Sequence, residues 1–271
     1  MSARRRFGQH FLDASWASRV LESAAFAPSD HVIEIGPGRG ALTIPLSRAV
    51  AALTAVELDR DLVPLLRRQL PAHARVIQAD FLEVPPAELF EGETAAAWRV
   101  IGNLPYNVSS PILFRLLELA KSTGRLRDAT LMLQREVAER VGSPPGSRQY
   151  GALSILVQLD ADVEPLLTLP PGAFRPAPDV WSRVIRLHFR PPKVAVADRR
   201  RFESMVRALF SQRRKMLSNA LRPAASSHGL EAIAVLREAR LDPARRPETL
   251  HLEELARLAD ILDAAGGAGV V

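Results

Sequence analysis

The first half of the chain alternates short apolar runs with segments whose apolar residues have helical spacing. Each of the first three runs ends in glycine or an acidic residue, as a buried strand does where it leaves the core. The runs are HVIEIG at 31–36, ALTAVELD at 52–59, ARVIQAD at 74–80 and, fourth, WRVIGN at 98–103. Strands that alternate with helices form a parallel sheet with helices on both faces. We therefore predict an α/β fold built on a doubly wound open sheet.

The pattern changes towards the C-terminus. ATLMLQREVAERV at 129–141 predicts a strand that leads into a helix, and LSILVQLDADVEPLLTLP at 153–170 and WSRVIRLHFR at 181–190 predict the last strands. Beyond RPPK at 190–193, the segment 198–222 predicts one long helix with an apolar stripe and mostly basic other faces. Two further helices follow. We predict two domains, residues 1–190 with the sheet and a small all-helical domain of residues 191–271.

The composition excludes several classes of protein. The 271 residues are 47% hydrophobic and 24% charged, which suffices for a substantial core. No run reaches the roughly 18 apolar residues of a membrane span, and the basic N-terminus lacks the apolar core of a signal peptide, so we expect a cytoplasmic protein. The chain has no cysteine, which excludes disulfides and thiolate chemistry. Its six histidines lack the paired spacing of helical zinc motifs, so we expect no metal.

Positive charge is concentrated near the C-terminus. The formal net charge is +6, and residues 190–271 carry 15 basic and 10 acidic side chains. Such an excess favours a polyanionic partner, either nucleic acid or an anionic membrane surface. A solvated charged face is the alternative at this point.

A glycine-rich turn follows the first predicted strand in VIEIGPGRGALT at 32–43. Gly36 and Gly38 permit positive φ and close backbone approach. Glu57 ends the second strand, where a carboxylate can accept hydrogen bonds from ribose hydroxyls, and Asp80 ends the third, where it can accept from an adenine amine. Each residue alone is also typical of a tight connection or a helix cap. Together they predict an adenosine site, for NAD or for a cationic sulfonium cofactor that has no phosphate and tolerates the nearby Glu34.

The stretch IGNLPYNVSS at 101–110 lies at the end of the fourth predicted strand. A turn is one interpretation, because the stretch is rich in turn formers. The other is a cradle for a flat ring with an amino group. The Asn103 side-chain oxygen and the Leu104 carbonyl can accept from that group, Pro105 stiffens the backbone, and Tyr106 offers a ring face for stacking. Such acceptors favour the charge that develops on an attacked nitrogen, which predicts methyl transfer from S-adenosylmethionine to an amino group.

These motifs resemble those of the ribosomal RNA adenine dimethyltransferase family, Rossmann-like enzymes that use S-adenosylmethionine to form dimethyladenosine near the 3′ end of small-subunit rRNA. The resemblance covers essentially the whole chain in family order. The matching segments are GQHFLD at 8–13, EIGPGRGALT at 34–43, VELDRDL at 56–62, QADF at 78–81, IGNLPYNVSSPIL at 101–113, QREVAERV at 134–141, PPGAFRPAPDVWSRVIRL at 170–187 and LFSQRRKMLSNAL at 209–221.

The resemblance implies a role for each matching residue. The residues expected to bind S-adenosylmethionine are Gln9, His10, Leu12, Gly36, Gly38, Glu57, Asp80 and Asn103. Asn103, Leu104 and Tyr106 are expected to act on the target base as catalytic residues, with Phe174 stacked on the other face of a flipped adenine. For Phe174, a side chain that packs its loop onto the core is the alternative. Many relatives have Asn in place of His10. A backbone contact would survive that change, and a capping or packing role for His10 stays open.

QRRK at 212–215 is the candidate RNA contact of the helical domain. Arg213, Arg214 and Lys215 can pair with the phosphates of structured RNA, although a solvated helix face is the alternative. Trp181 and Arg183 depart from the small residues that are commoner in the family at these positions, which leaves the local RNA contacts open.

The resulting hypothesis is an enzyme that dimethylates N6 of an adjacent pair of adenines near the 3′ end of 16S rRNA within an immature small subunit. We expect a monomer that uses neither a metal nor a membrane. One alternative is the related large-subunit rRNA methyltransferase of antibiotic resistance, in which isoleucine usually replaces Leu104. Another is a non-catalytic RNA-binding assembly or transcription factor on the same fold, and an NAD-dependent oxidoreductase is the most distant.

Overall fold

A computed structural model describes residues 10–90 and 97–267, which divide into two compact units. The first comprises the described residues of Met1–Ala138 and Ala161–Arg190, and the second those of Glu139–Asp160 and Pro191–Val271. The sequence assigned 139–160 to the sheet domain, whereas the structure groups this segment with the helical unit.

Hydrogen bonds explain why the segment 139–160 belongs to the helical unit. The Tyr150 hydroxyl donates to the Leu250 carbonyl at 3.0 Å, and the Gly146 N–H donates to the Glu248 carbonyl at 2.7 Å. The Tyr150 ring also packs edge-on against Phe210, with ring centroids 5.8 Å apart. Contacts between residues about 60 to 100 positions apart, not composition, therefore set this boundary.

Seven strands of the first unit form one mixed sheet, and two short strands form a separate pair. The strands are β1 Phe11–Leu12, β2 His31–Ile35, β3 Ala52–Glu57, β4 Ala74–Gln78, β5 Trp98–Asn103, β6 Leu126–Gln134, β7 Ala161–Leu169, β8 Phe174–Arg175 and β9 Ser182–Phe189. The sheet has the order β4-β3-β2-β5-β6-β9-β7, and β1 pairs with β8. The first five strands in this order, β4, β3, β2, β5 and β6, are parallel, while β9 is antiparallel to both of its neighbours. The predicted doubly wound, Rossmann-like sheet is confirmed.

Helices connect the parallel strands and make up most of the second unit. They are α1 Ala14–Ala24, α2 Thr43–Ser47, α3 Val63–Arg67, α4 Pro86–Leu89, α5 Ser109–Thr123, α6 Arg135–Val141, α7 Ala152–Asp160, α8 Arg199–Ser211, α9 Leu217–Ala220, α10 Arg222–Ser226, α11 Ala232–Glu238 and α12 Leu252–Gly267. Local chemistry sets several of their ends. Asp13 and Asp198 cap the N-termini of α1 and α8 through their carboxylates, and Gly124 ends α5 in the left-handed conformation. Within the described ranges, no helix is both long and apolar enough to cross a membrane.

Two predicted elements differ from the structure. The run LSILVQLD was expected to be a strand but forms α7, which is buried on most of its sides. A helix without a polar face has no 3.6-residue periodicity, so a short apolar run resembles a strand. The long basic helix also ends early, because the chain leaves α8 at Gln212 and is extended at Met216 before α9 begins.

A buried ion-pair network holds the end of α1 against the sheet. Arg99 on β5 contacts both oxygens of Asp128 on β6 at 2.9 and 3.0 Å and Asp30 at 2.9 Å. Its remaining N–H groups donate to the carbonyls of Ala24 and Ala25, where α1 ends. Removal of one partner from such a network costs about 3–5 kcal/mol, because a buried charge stays unpaired. The network thus fixes the helix that follows the N-terminal strand β1.

Candidate active site

A cavity of about 380 Å³ lies at the carboxyl ends of the parallel strands in the first unit. The lining comes from several parts of the chain: the segment that contains β1, the loops after β2, β3 and β4, the segment after β5, and Arg175 of β8. Nine of the residues predicted from the sequence are among its walls, namely His10, Leu12, Gly36, Gly38, Glu57, Asp80, Asn103, Leu104 and Tyr106. Gln9 lies outside the described residues.

The glycine turn after β2 forms one wall. Gly36 and Gly38 have φ values of 66° and 57°, which side chains with a Cβ rarely adopt. A Cβ on Gly38 would also lie 3.1 Å from the Phe11 ring. The Gly38 N–H donates to Glu57 Oε2 at 2.9 Å, so the turn is tied to the end of β3. The backbone of the turn is therefore fixed without help from a ligand.

Two carboxylates face the cavity at the ends of neighbouring strands. Glu57 accepts from Gly38 and, through Oε1, from the Asp59 N–H at 2.8 Å, and burial raises its pKa. Asp80 accepts from the Leu82 N–H at 2.9 Å through Oδ1. A carboxylate has about four acceptor positions, so each side chain keeps capacity for hydroxyl or amino donors of a ligand.

A third carboxyl group, that of Glu34 on β2, is more deeply buried and also lines the cavity. Its Oε2 atom has no hydrogen-bond partner among the residues that the structure describes. Burial raises the pKa of Glu34 to about 8, so the group stays protonated at neutral pH. A cationic ligand group would favour its ionised form, whereas a pyrophosphate would face three carboxyl groups. The cavity thus fits an adenosine with a sulfonium better than a dinucleotide.

The amide of Asn103 has a defined orientation at the end of β5. Its Nδ2 donates to the His10 carbonyl at 2.8 Å. A carbonyl can only accept, so this bond places Oδ1 as the atom that remains for an incoming donor. Leu104 follows with its own backbone N–H bonded to the Met132 carbonyl at 3.2 Å. Two acceptors, the Asn103 side chain and the Leu104 carbonyl, are therefore held on a short rigid segment.

Gly102 explains how the strand and this turn fit together. It lies beside Ile35 of β2 in the sheet register. A Cβ at position 102 would lie 3.0 Å from the Ile35 carbonyl oxygen and 3.0 Å from Leu104 Cδ2. Since one of these neighbours is backbone, it cannot move aside without breaking the sheet. The close approach of β2 and β5 sets the spacing between the glycine turn and Asn103.

Tyr106 is held from two sides. Its hydroxyl bonds to Ser182 Oγ at 2.9 Å, and its ring stacks on the His10 ring with centroids 5.5 Å apart and planes 28° apart. Burial raises the pKa of Tyr106, so the hydroxyl stays protonated. The chain does turn here, at 106–108, as the simpler interpretation proposed, and residues 103–106 also form a wall of the cavity.

For Phe174, the structure shows the packing alternative and not the position beside the base. Its side chain is 1% exposed and packs in the core with residues such as Leu12 and Val184, and it is not part of the cavity wall. The reason is the pairing of β8 with β1, in which Phe174 lies beside Leu12. A role in stacking on a base would require the ring to leave this core.

Several wall residues were not predicted from the sequence. They include Phe11, Arg39, Leu58, Phe81 and Arg175. Arg39 lies over the Phe11 ring at 4.5 Å. Leu58 and Phe81 directly follow Glu57 and Asp80 and are partly recognisable from those neighbours, since ring and ribose contacts need adjacent apolar surface. The other three depend on contacts that no local pattern indicates.

The candidate RNA contacts lie in the second unit, in the turn between α8 and α9 rather than on a helix. Arg213 is partly tied within this unit, because it donates to the Arg148 carbonyl at 2.7 Å and lies 3.4 Å from the Glu248 carboxylate. Arg214 and Lys215 are exposed. These three residues therefore do not lie on a helix face, while their contact with RNA stays a prediction.

Fold and cavity together define a class, a Rossmann-like α/β protein that combines acceptors for a nucleoside with oriented acceptors for an amino group. Solved structures share the architecture. The chain is similar to a dimethyladenosine transferase from Plasmodium falciparum with a TM-score of 0.77 at 21% identity, over 95% of this chain and 98% of that one. It is also similar to the 23S rRNA methyltransferase ErmE, with a TM-score of 0.67 at 27% identity, over 93% and 99%.

Sequence comparison identifies the family. The family model described as ribosomal RNA adenine dimethylase matches residues 1–258. Relatives named ribosomal RNA small subunit methyltransferase A are 43% identical in Xanthomonas axonopodis pv. citri, over 96% of each chain, and 44% identical in Pseudomonas fluorescens, over 96% of this chain and 94% of that one. The chain belongs to the ribosomal RNA adenine dimethylase family. Membership makes it an rRNA adenine methyltransferase and implies S-adenosylmethionine as the methyl donor.

Proposed function

We propose that the protein transfers methyl groups from S-adenosylmethionine to N6 of an adjacent pair of adenines near the 3′ end of 16S rRNA, in an immature small subunit, as a monomer. The observation that carries the proposal is the oriented Asn103 amide, with Leu104 beside it, in the same cavity as Glu57 and Asp80. The names of the relatives that are 43–44% identical support the small-subunit substrate.

The cofactor end of the cavity fits S-adenosylmethionine. Glu57 would hold the ribose hydroxyls, Asp80 the adenine amine, and Glu34 would favour the positive sulfonium. Gly36 and Gly38 leave room for the methionine part, and the backbone of residues 10–12 covers it. When bound, the cofactor supplies an electrophilic methyl group.

The acceptor end fits an adenine amine. The lone pair of this nitrogen is delocalised into the ring, so the amine is a poor nucleophile. Asn103 Oδ1 and the Leu104 carbonyl can each accept one of its hydrogens, which favours a more pyramidal nitrogen and the positive charge that develops during transfer. Pro105 has no N–H that would compete for these acceptors. Tyr106 can stack on the base, and no strong general base is required because the methylated ammonium is acidic.

The helical unit is the proposed rRNA-binding domain. Arg214 and Lys215 are its exposed candidates, since Arg213 already has partners within the unit. Replacement of both exposed residues by glutamate should weaken rRNA binding and reduce the salt dependence of the binding constant, because each phosphate contact adds nearly one unit to that slope. Arg213→Glu would also break an internal contact and is less informative. Unchanged affinity at several salt concentrations would remove this pair from the interface.

One experiment tests the substrate. The protein is incubated with labelled S-adenosylmethionine and immature small subunits, naked small-subunit rRNA or large-subunit rRNA, and modified nucleotides are mapped by mass spectrometry. We expect dimethyladenosine at adjacent positions in the small-subunit RNA. Modification of large-subunit RNA alone would support the activity of ErmE-like enzymes instead, and no transfer to any RNA would support a binding factor.

A further inference from the structure

We propose that the side chain of His10 is a positioning residue of the acceptor site, which holds Tyr106 and the loop after β8 in place, and not a contact of the cofactor. This inference rests on the proposed function.

Protein groups contact one ring nitrogen and one face of the imidazole. His10 Nδ1 lies 2.7 Å from the Pro176 carbonyl, and since a carbonyl only accepts, Nδ1 carries the proton of this bond. One face of the ring lies against Tyr106 at a centroid distance of 5.5 Å, which is within the range of favourable aromatic pairs. An asparagine here can form a hydrogen bond, but it cannot support the tyrosine ring.

The backbone of the same residue orients the catalytic amide. The His10 carbonyl accepts from Asn103 Nδ2 at 2.8 Å, and the next residue, Phe11, pairs with Arg175 of β8. Position 10 thus joins three chain segments that are far apart in sequence: the N-terminal strand, the segment 103–106 and the segment 174–176 with β8. Correct placement of this residue is needed for both acceptors and for the stacking ring.

Tyr106 would be free to tilt without the imidazole. Its hydroxyl is anchored to Ser182 at 2.9 Å, so the ring can still rotate about that end. The described residues include no second aromatic ring that stacks on Tyr106. A base that stacks on the opposite face would therefore rest on a ring that His10 supports from behind.

Measurements of turnover and of cofactor affinity distinguish a positioning role of His10 from a contact with the cofactor. We compare His10→Ala, His10→Phe and, as a matched control, His188→Ala, which lies on the exposed part of β9. Loss of one aromatic pair is worth up to about tenfold, so His10→Ala should lower kcat about tenfold while the Kd for S-adenosylhomocysteine, measured by calorimetry, changes less than about twofold. His10→Phe keeps the stacked ring and should recover most of kcat. A Kd that rises as much as kcat falls would overturn the proposal.

A double-mutant cycle tests whether His10 acts through Tyr106. If it does, His10→Ala should have little further effect on kcat in a Tyr106→Ala background, because contacting residues that act together are not additive. Equal effects of His10→Ala in both backgrounds would mean that the ring only supports the fold, and would refute the positioning role.

A spectroscopic measurement is independent of the reaction. The chain has two tyrosines, Tyr106 and Tyr150, so ring-labelled tyrosine gives two sets of NMR signals. His10→Ala should shift or broaden those of Tyr106 and leave those of the buried Tyr150 unchanged. Unmoved Tyr106 signals would contradict the proposal. A wild-type enzyme that methylates no small-subunit rRNA would instead contradict the proposed function and leave this measurement valid.

Discussion

Hydrogen bonds hold both ends of the cavity in place. They join residues that are close in sequence at the cofactor end and far apart in sequence at the acceptor end. At the cofactor end, Glu57 bonds the backbone of Asp59 and Gly38, which are 2 and 19 residues away. At the acceptor end, Asn103 bonds a residue 93 positions away, and His10 bonds one 166 positions away. The cofactor end is therefore a local property of consecutive strand ends, whereas the acceptor end exists only when distant segments have come together. Substitutions far from the amide should disturb the acceptor end more than the cofactor end.

The largest expected effect concerns the core beneath the acceptor end. Phe174→Ala should lower the free energy of unfolding by about 3–5 kcal/mol, because it removes a fully buried ring from the core. Urea denaturation measures this loss. Phe174→Leu is the control, since it keeps most of the volume and should keep most of both stability and turnover. A leucine variant of normal stability that no longer methylates RNA would restore the role of Phe174 as a base-stacking residue.

Replacement of Asn103 should impair the acceptor end of the cavity and spare the cofactor end. If Asn103 Oδ1 acts on the developing charge as proposed, Asn103→Ala should lower kcat about 100- to 1000-fold. Cofactor affinity, measured by calorimetry with S-adenosylhomocysteine, should change much less, because Glu57 and Asp80 do not depend on Asn103. Full turnover in the variant would remove Asn103 from the mechanism.

The converse change at the cofactor end is Glu57→Gln. The substitution replaces a charged acceptor of hydrogen bonds with a neutral one. Hydrogen bonds to charged groups contribute about 1.5–3 kcal/mol each, so cofactor affinity should fall about 10- to 100-fold. The same calorimetric titration measures it. With saturating cofactor, kcat should recover, because the acceptor end is built by other residues. If kcat stays low at saturation, the two ends are not independent.

A smaller effect follows from the buried Glu34. Its pKa in the folded protein is about 8, against an ordinary value of 4.5. The folded state therefore holds this proton more tightly, so the associated stability is complete below pH 4.5 and is lost as the pH rises through 8. Between these two pH values, the contribution of Glu34 to the free energy of unfolding falls by up to about 1.4 kcal/mol per pH unit. Glu34→Gln should remove this slope, which urea denaturation at pH 6 and 7 measures.

An exposed carboxylate provides the comparison for Glu34. Glu118 on α5 has a side chain that is 67% exposed, so Glu118→Gln should leave the pH dependence of stability as in the wild type. If both variants show the same slope, Glu34 does not hold the proton inferred from its burial.

This difference in the sequence separation of contacts also explains which parts of the site could be predicted from the sequence. Gly36, Glu57 and Asp80 each follow a recognisable strand, and parallel strands bring their carboxyl ends to one edge. The sequence left both stacking and burial open for Phe174 and did not indicate the stacking of His10 on Tyr106, because both contacts depend on the pairing of β1 with β8. Neither strand has more than two residues, which is too short for a periodic pattern.

The helical unit shows two further limits of sequence patterns. α7 was misassigned because a helix buried on most sides has no polar face. The end of α8 was missed because SQRRKM contains neither glycine nor proline, so the sequence gives no stop signal. The placement of Arg213 beside Glu248 is a contact between distant residues, and it changes which basic side chains are candidates for RNA binding.

The packing of Gly102 bears on how this scaffold can be diversified. A library that randomises positions 102–106 would place a side chain against the Ile35 carbonyl in nearly every member. Those members would not fold, so a screen for activity on new substrates could not test them. With glycine kept at 102, variation falls on the turn that follows the strand, where side chains form the rim of the cavity. New amine acceptors for this scaffold are therefore best sought one residue after the sheet ends.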